Sequence, residues 1–350
     1  MKPSVVLATT LLGLASAGPT PAAEPQVQLK APWNLRTISH REKPKYAIVN
    51  ILRNFKHYYQ SWTSSESYYA YIVDSGIRIT HKEFEGRAEN FWTAYQTSDG
   101  KDDFTDSTGH GTHVAGIVAS KTYGVAKSAK VVAVKVTNDK GLTSTATIIK
   151  GLEQAIADIA KKDRHNNAVI NISLGVECSQ AMNTIIDRAY SRRDASYRNP
   201  AGILVVVASG NEAMNAKECS PASARQALTV GAIGPNWNVV SWSNFGSSVD
   251  ILAPGDDITS LSSKSDTGTI THSGTSMASP HVAALALNAM SVFSKISTQV
   301  RWFLVEETAT KDKVQGNLRG APNRIANNNN SKQDSCALKD PKNEKEDDEC

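Results

Sequence analysis

Apolar residues are distributed along this chain in two styles that alternate with one another. Short continuous runs rich in β-branched residues, at 69–73, 131–136, 168–172, 203–207 and 227–230, have the length and composition of strands buried on both faces. Between them lie stretches of helical period. In 147–161, Ile148, Ile149, Leu152, Ala155, Ile156 and Ile159 recur three and four residues apart, and 180–192 repeats the pattern more weakly. The segments 114–118 and 277–290 also read as helices. Strand alternating with helix predicts a single α/β domain with a doubly wound, mainly parallel sheet and helices on both faces. In such sheets the functional crevice lies outside the carboxyl ends of the strands.

That rule gathers the chemistry-bearing residues. Asp74 follows the run 69–73, and Asn211 follows 203–207 through Ala208-Ser209-Gly210. His110 and Ser276 each head a helix-like segment, where free N–H groups and the helix dipole favour developing negative charge. The stretches that carry the three are Val73-Asp74-Ser75-Gly76, His110-Gly111-Thr112-His113 and Gly274-Thr275-Ser276-Met277-Ala278. Each alone is a common turn or loop, but together they bring an acid, a base and a nucleophile into one chain.

A serine hydroxyl attacks poorly unless a base removes its proton, and that base must be held in one tautomer. Ser276, His110 and Asp74 fit those roles, and Asn211 with the Ser276 N–H fits the donor pair for an oxyanion. His110 and His113 lack the intervening carboxylate of a His-Glu-x-x-His zinc site, so His113 and also His281 read as packed helix residues. A lipase-type elbow would need glycine where Ala278 stands and a different order of acid and base.

Composition adds a compartment. The 350 residues, 40% hydrophobic, suffice for a large core, and a net charge of +4 without a clustered basic face predicts no nucleic-acid partner. Residues 1–17 pair Lys2 with an apolar run at 5–14 and the small residues Ala15-Ser16-Ala17, the pattern of a cleaved secretory signal. The run is too short to span a bilayer, so a secreted, extracellular protein without membrane contact is expected. The chain then divides into a linker at 18–30, a folded domain at 31–327 and a polar, flexible tail at 328–350.

In an oxidising compartment Cys178, Cys219, Cys336 and Cys350 can pair in three ways. The first two flank segments expected near the substrate, which favours joining them and leaves Cys336 for Cys350. A sequon at Asn329-Asn330-Ser331 predicts a glycan on Asn329, whereas the one at Asn171 falls in a core strand.

Several segments beyond the three motifs resemble the secreted subtilisin-like serine proteases (peptidase S8), most closely their fungal proteinase K-like branch. They are Ala31-Pro32-Trp33, Ile38-Ser39-His40-Arg41, Phe84-Glu85-Gly86-Arg87-Ala88, Tyr123-Gly124-Val125-Ala126-Lys127, Ser173-Leu174-Gly175 and Ser220-Pro221-Ala222-Ser223. The resemblance covers about 31–327 and implies a monomeric serine endopeptidase acting on proteins or peptides through an acyl-enzyme.

By position it makes Asp74, His110 and Ser276 the catalytic residues and Asn211 the oxyanion donor. It also makes Ser173, Leu174 and Gly175, with Ala208, Ser209 and Gly210, the walls of the pocket for the side chain before the scissile bond. Gly141 and Leu142 would pair with the substrate backbone as an added strand. Specificity would be broad with an apolar bias, although Glu177 and Lys217 lie near the pocket segments. A preference for paired basic residues would need an acidic pocket, for which Glu177 is the only candidate. A structural calcium would be held by the carbonyls of Arg225 and Ala227 and the Asp250 carboxylate, with no cofactor needed for the chemistry.

Two features depart from that family. The 18–30 segment, a linker or vestigial pro-segment, is short for a pro-domain, which predicts a truncated gene model, a pro-domain acting from another chain or a protein that no longer folds to activity. The stretch 43–56 is long and apolar, with 47–52 reading as an extra strand. The first departure motivates the alternative of a catalytically inactive secreted binding protein that keeps the same shell.

Overall fold

The computed structural model describes residues 25–43, 55–59, 62, 66–191 and 202–332. In chain order the strands are β1 (Gln26–Ala31), β2 (Phe55–Tyr59), β3 (Tyr69–Asp74), β4 (Ala88–Thr93), β5 (Lys130–Lys135), β6 (Ala168–Ile172), β7 (Val176–Glu177), β8 (Leu204–Ala208) and β9 (Cys219–Ser220). They continue as β10 (Leu228–Ile233), β11 (Ile251–Pro254), β12 (Ile258–Leu261), β13 (Thr269–His272), β14 (Thr310–Lys311) and β15 (Arg324–Ile325). The α-helices are α1 (Trp33–Thr37), α2 (His110–Ala119), α3 (Thr145–Lys161), α4 (Gln180–Ser191), α5 (Thr275–Val292) and α6 (Ser297–Trp302).

Nine strands form the main sheet in the order β14-β15-β11-β10-β8-β6-β3-β5-β4. Every pairing in it is parallel except that of β14 with β15. The continuous apolar runs follow from burial on two sides. Ala70 and Ile72, Val131 and Ala133, and Leu204 and Val206 face a core shared with α2 and α5. Their alternates Tyr71 and Val73, Val132 and Val134, and Val205 and Val207 face a second core with Ile148, Leu152 and Ile159 of α3 and Met182 and Ile186 of α4. Helix α5 is buried without a break from Met277 to Met290, as expected of a helix apolar all round.

The five strands read from apolar runs all form, with ends moved by up to three residues. Edge strand β4 was not legible, since Ala-Glu-Asn-Phe-Trp-Thr has neither an apolar run nor a clean alternation. Two expected boundaries move. Residues 26–30, expected in the linker, belong to β1, which pairs antiparallel with β2. At the other end, the domain extends beyond 327: Asn328 Nδ2 donates to the Tyr58 carbonyl (2.6 Å) and Asn330 Nδ2 to that of Ser39 (2.8 Å). The signal at 1–17, the candidate strand at 47–52, Cys336 and Cys350 lie outside the described residues.

Leu152 is fully buried in the α3 face of the second core. Leu152→Ala should therefore lower the unfolding free energy by about 2–5 kcal/mol, measured by denaturant titration.

Candidate active site

Strand order reverses around β3, which lies between β5 and β6, and the polar residues collect at the carboxyl ends there. Asp74 is the last residue of β3, Ser173 follows β6, and Ser209, Gly210 and Asn211 follow β8. The Asp74 carboxylate is 1% exposed. Its Oδ1 accepts from the Ser75 N–H (2.7 Å) and from His110 Nδ1 (2.7 Å), while Oδ2 is buried with no partner among the described residues. The His110 ring thus presents Nε2 outward, with 32% of its side-chain surface open. Burial pulls the His110 pKa down, but the Asp74 charge and hydrogen bond, with Asp106 behind them, outweigh it and raise the value above 6.5.

The approach of α2 to β3 requires glycine at 111: a Cβ there would stand 2.2 Å from the Gly76 carbonyl oxygen and 3.2 Å from the Asp74 Cβ. Asp106, not singled out from the sequence, fastens this junction. Its Oδ1 accepts from Ser75 Oγ (2.7 Å) and the Gly109 N–H (2.9 Å), and its Oδ2 accepts from the Thr112 N–H (2.8 Å). Ser75 Oγ in turn accepts from the Gly111 N–H (2.9 Å). An acidic residue just ahead of a predicted helix start is the signal that could have found it, because such residues cap first-turn N–H groups.

Ser276 is the second residue of α5. Pro280 lacks the N–H that would bond the Ser276 carbonyl four residues back, and Ser173 Oγ donates to that carbonyl instead (3.0 Å). In return Ser276 Oγ donates to the Ser173 carbonyl (2.9 Å), so no hydrogen bond joins it to His110 in the resting state. Asn211 is oriented by Thr275, whose N–H (2.8 Å) and Oγ1 (2.9 Å) both donate to Asn211 Oδ1. This leaves the Asn211 Nδ2 group without an acceptor among the described residues, beside the amino end of α5. His113 and His281 are structural. The first reaches the Ile258 and Ile270 carbonyls through Nε2, with burial lowering its pKa to about 3. His281 Nδ1 donates to the Met277 carbonyl, with burial lowering its pKa to about 4.

Ser276 and Asn211 border a cavity of about 370 Å³ whose walls include Ser173, Leu174, Gly175, Ala208, Ser209 and Gly210. Glu177, Glu212, Glu218 and Cys219 also line it. Gly141 and Leu142 are largely satisfied within their own turn. Both N–H groups and the Leu142 carbonyl bond to Asn138.

Two further expectations meet a different geometry. Cys178 and Cys219 are unbonded thiols, because the β7–β9 register sets Glu177, not Cys178, opposite Cys219. Cys219 Sγ contacts the Ser209 and Ala216 carbonyls instead. Around Asp250 a guanidinium occupies the place expected for calcium. Arg301 donates through Nη2 to Asp250 Oδ1 (2.6 Å) and through Nη1 to the Arg225 carbonyl (2.7 Å), while the Thr229 N–H takes Oδ2 (2.9 Å). Two of the three expected calcium ligands, the Arg225 carbonyl and the Asp250 carboxylate, are thus bonded to a guanidinium. Asn329, finally, accepts from Arg41 Nη2 through Oδ1 (3.1 Å).

Residues 71–330 match the model of the subtilase family, Peptidase S8. The chain belongs to the subtilase family. Alkaline protease 1 of Aspergillus oryzae is 41% identical over 304 residues, 87% of this chain and 69% of that protein. A cuticle-degrading serine protease of Arthrobotrys oligospora is 39% identical over 305 residues, 86% of this chain and 69% of that one. Among solved structures, a cold adapted subtilisin-like serine proteinase superposes with a TM-score of 0.70 at 31% identity, covering 85% of this chain and 98% of its own. This subtilase is a serine-type endopeptidase with the subtilisin-like fold.

If Arg301 replaces a bound cation in this subtilase, Arg301→Ala should lower its unfolding free energy by about 1–3 kcal/mol. A calcium chelator should leave the unfolding midpoint of the unaltered protein in place, both read by thermal denaturation.

Proposed function

We propose that this subtilase hydrolyses peptide bonds through an acyl-enzyme formed on Ser276, with His110 as general base and acid and Asp74 as its orienting partner. The observation that carries this reading is the 2.7 Å bond from His110 Nδ1 to the buried Asp74, which fixes the tautomer that leaves Nε2 able to accept a proton. On substrate binding the Ser276 hydroxyl turns from the Ser173 carbonyl toward His110 and gives up its proton as Oγ attacks the scissile carbonyl. The carbonyl oxygen becomes negative and is met by the Ser276 N–H at the head of α5 and by Asn211 Nδ2, whose amide is already oriented by Thr275. Protonated His110 then gives its proton to the leaving amine. Water, deprotonated by the same imidazole, releases the acyl group.

The cavity between Ser173–Gly175 and Ala208–Gly210 takes the side chain before the scissile bond, and the Gly141 carbonyl accepts from the substrate backbone. The signal pattern at 1–17 supports secretion. Among the described residues no helix is long and apolar enough to cross a membrane.

A fluorophosphonate probe should label the folded protein, and Ser276→Ala should abolish the label; a folded, unlabelled wild type overturns the reading. Removing one oxyanion donor from a subtilisin costs about 10²–10³-fold in kcat, and Asn211→Ala is expected to fall in that range with little change in KM. Only neutral His110 can accept the Ser276 proton, so kcat/KM is lost as pH falls through its raised pKa. The acid limb should therefore lie above 6.5 and move down in Asp74→Asn, as a pH series of kcat/KM would show.

A further inference from the structure

The lining of the cavity beside Ser276 has an unusual charge for a chain that is basic overall. Glu177, Glu212 and Glu218 are among its lining residues, and no lysine, arginine or histidine is. None of the three carboxylates makes an ion pair among the described residues. The nearby Arg319 is engaged elsewhere, donating to the Ala213, Ser241 and Ser243 carbonyls and covering the Phe245 ring at 4.0 Å. Lys217, like the three glutamates, is exposed, but it does not line the cavity.

Glu212 is built into the wall. Its Oε2 accepts from the Asn211 N–H (2.8 Å) and from Asn244 Nδ2 (2.8 Å), and the Asn244 Oδ1 accepts from the Glu212 N–H (3.0 Å). Gly210 makes room for it. At φ +103° a Cβ on residue 210 would stand 2.6 Å from Glu212 Oε2 and 2.2 Å from Asn244 Nδ2, so the wall is glycine where the carboxylate comes close. The cavity also offers apolar surface from Leu174, Val176, Met214 and Ala222. An apolar side chain entering it would strip water from carboxylates and return no countercharge. A long side chain with an aliphatic stem and a cationic end would satisfy both kinds of wall.

We propose that this pocket selects lysine or arginine immediately before the scissile bond, the stem against Leu174, Val176 and Met214 and the cation among Glu177, Glu212 and Glu218. This replaces the apolar preference expected from the sequence, and it rests on the reading of Ser276 as the nucleophile beside the pocket.

The test compares kcat/KM for tetrapeptide nitroanilides differing only in the residue before the nitroanilide, with enzyme counted by fluorophosphonate label. Lysine and arginine substrates should exceed leucine and phenylalanine ones by about tenfold or more at low salt, and the gap should narrow as salt is added. Glu212→Gln should cut the basic-to-apolar ratio by at least about threefold. Glu177→Gln and Glu218→Gln are read in the same way and keep the test open should Glu212→Gln fail to fold. Labelled enzyme that cleaves leucine and phenylalanine substrates as well as or better than basic ones overturns the inference and leaves the nucleophile assignment standing. Folded protein that takes no label overturns both.

Discussion

Everything about this molecule's site follows from covering a parallel sheet on both faces. Strands such as β6 and β8 are buried along their whole length, so the sheet interior has no room for functional polar groups. They are displaced to the carboxyl ends, and Asp74, Ser173 and Asn211 stand there on three strands connected through direct pairing of β3 with β6 and of β6 with β8. The sheet sets their spacing, and the helices that cover it bring His110 and Ser276 to the same edge. Even the charges near this edge obey the constraint. Lys135, fully buried at the end of β5, donates to the Ser75 and Thr105 carbonyls, and so ties down the turn that follows Asp74.

Asp74 and His110 come from different elements, so their 2.7 Å contact depends on how α2 docks on β3. Asp106 is the fastening. One carboxylate reaches the turn after β3 through Ser75 and the first turn of α2 through Gly109 and Thr112, so strand and helix share a hydrogen-bonded hub. The same charge adds to the field that favours a proton on His110. Geometry and basicity at the imidazole therefore have a common support. The absence of a side chain at Gly111 is what lets the two elements come close enough to use it.

The fold and the gathering of Asp74, His110, Asn211 and Ser276 at one sheet edge were largely legible in the sequence because both rest on strong local signals. Buried strands such as 168–172 carry unbroken β-branched runs, and the triad segments sit where strand ends and helix starts are marked. What escaped was whatever depends on pairing partners or on side chains meeting across the fold. Strand β1 exists because β2 pairs with it, and Arg301 reaches Asp250 from 51 positions away. Glu212 is two residues past an expected pocket wall and Glu218 further still, so their convergence with Glu177 appears only once β7 and β9 are paired. The cysteine expectation failed for a related reason, since a strand register of one residue decides which side chains oppose each other.

Pro280 shows how one missing donor can organise the surroundings of a single hydroxyl. By vacating the Ser276 carbonyl it lets Ser173 and Ser276 exchange hydrogen bonds, each hydroxyl on the other's carbonyl. One half of that exchange anchors backbone and the other holds only a rotatable hydroxyl. The two can therefore be uncoupled: turning Oγ away leaves the carbonyl still gripped and the main chain stationary. The proposed nucleophile is thus kept in reserve by a clasp that opens through a single torsion, and arming it would require no movement of the helix on which it stands.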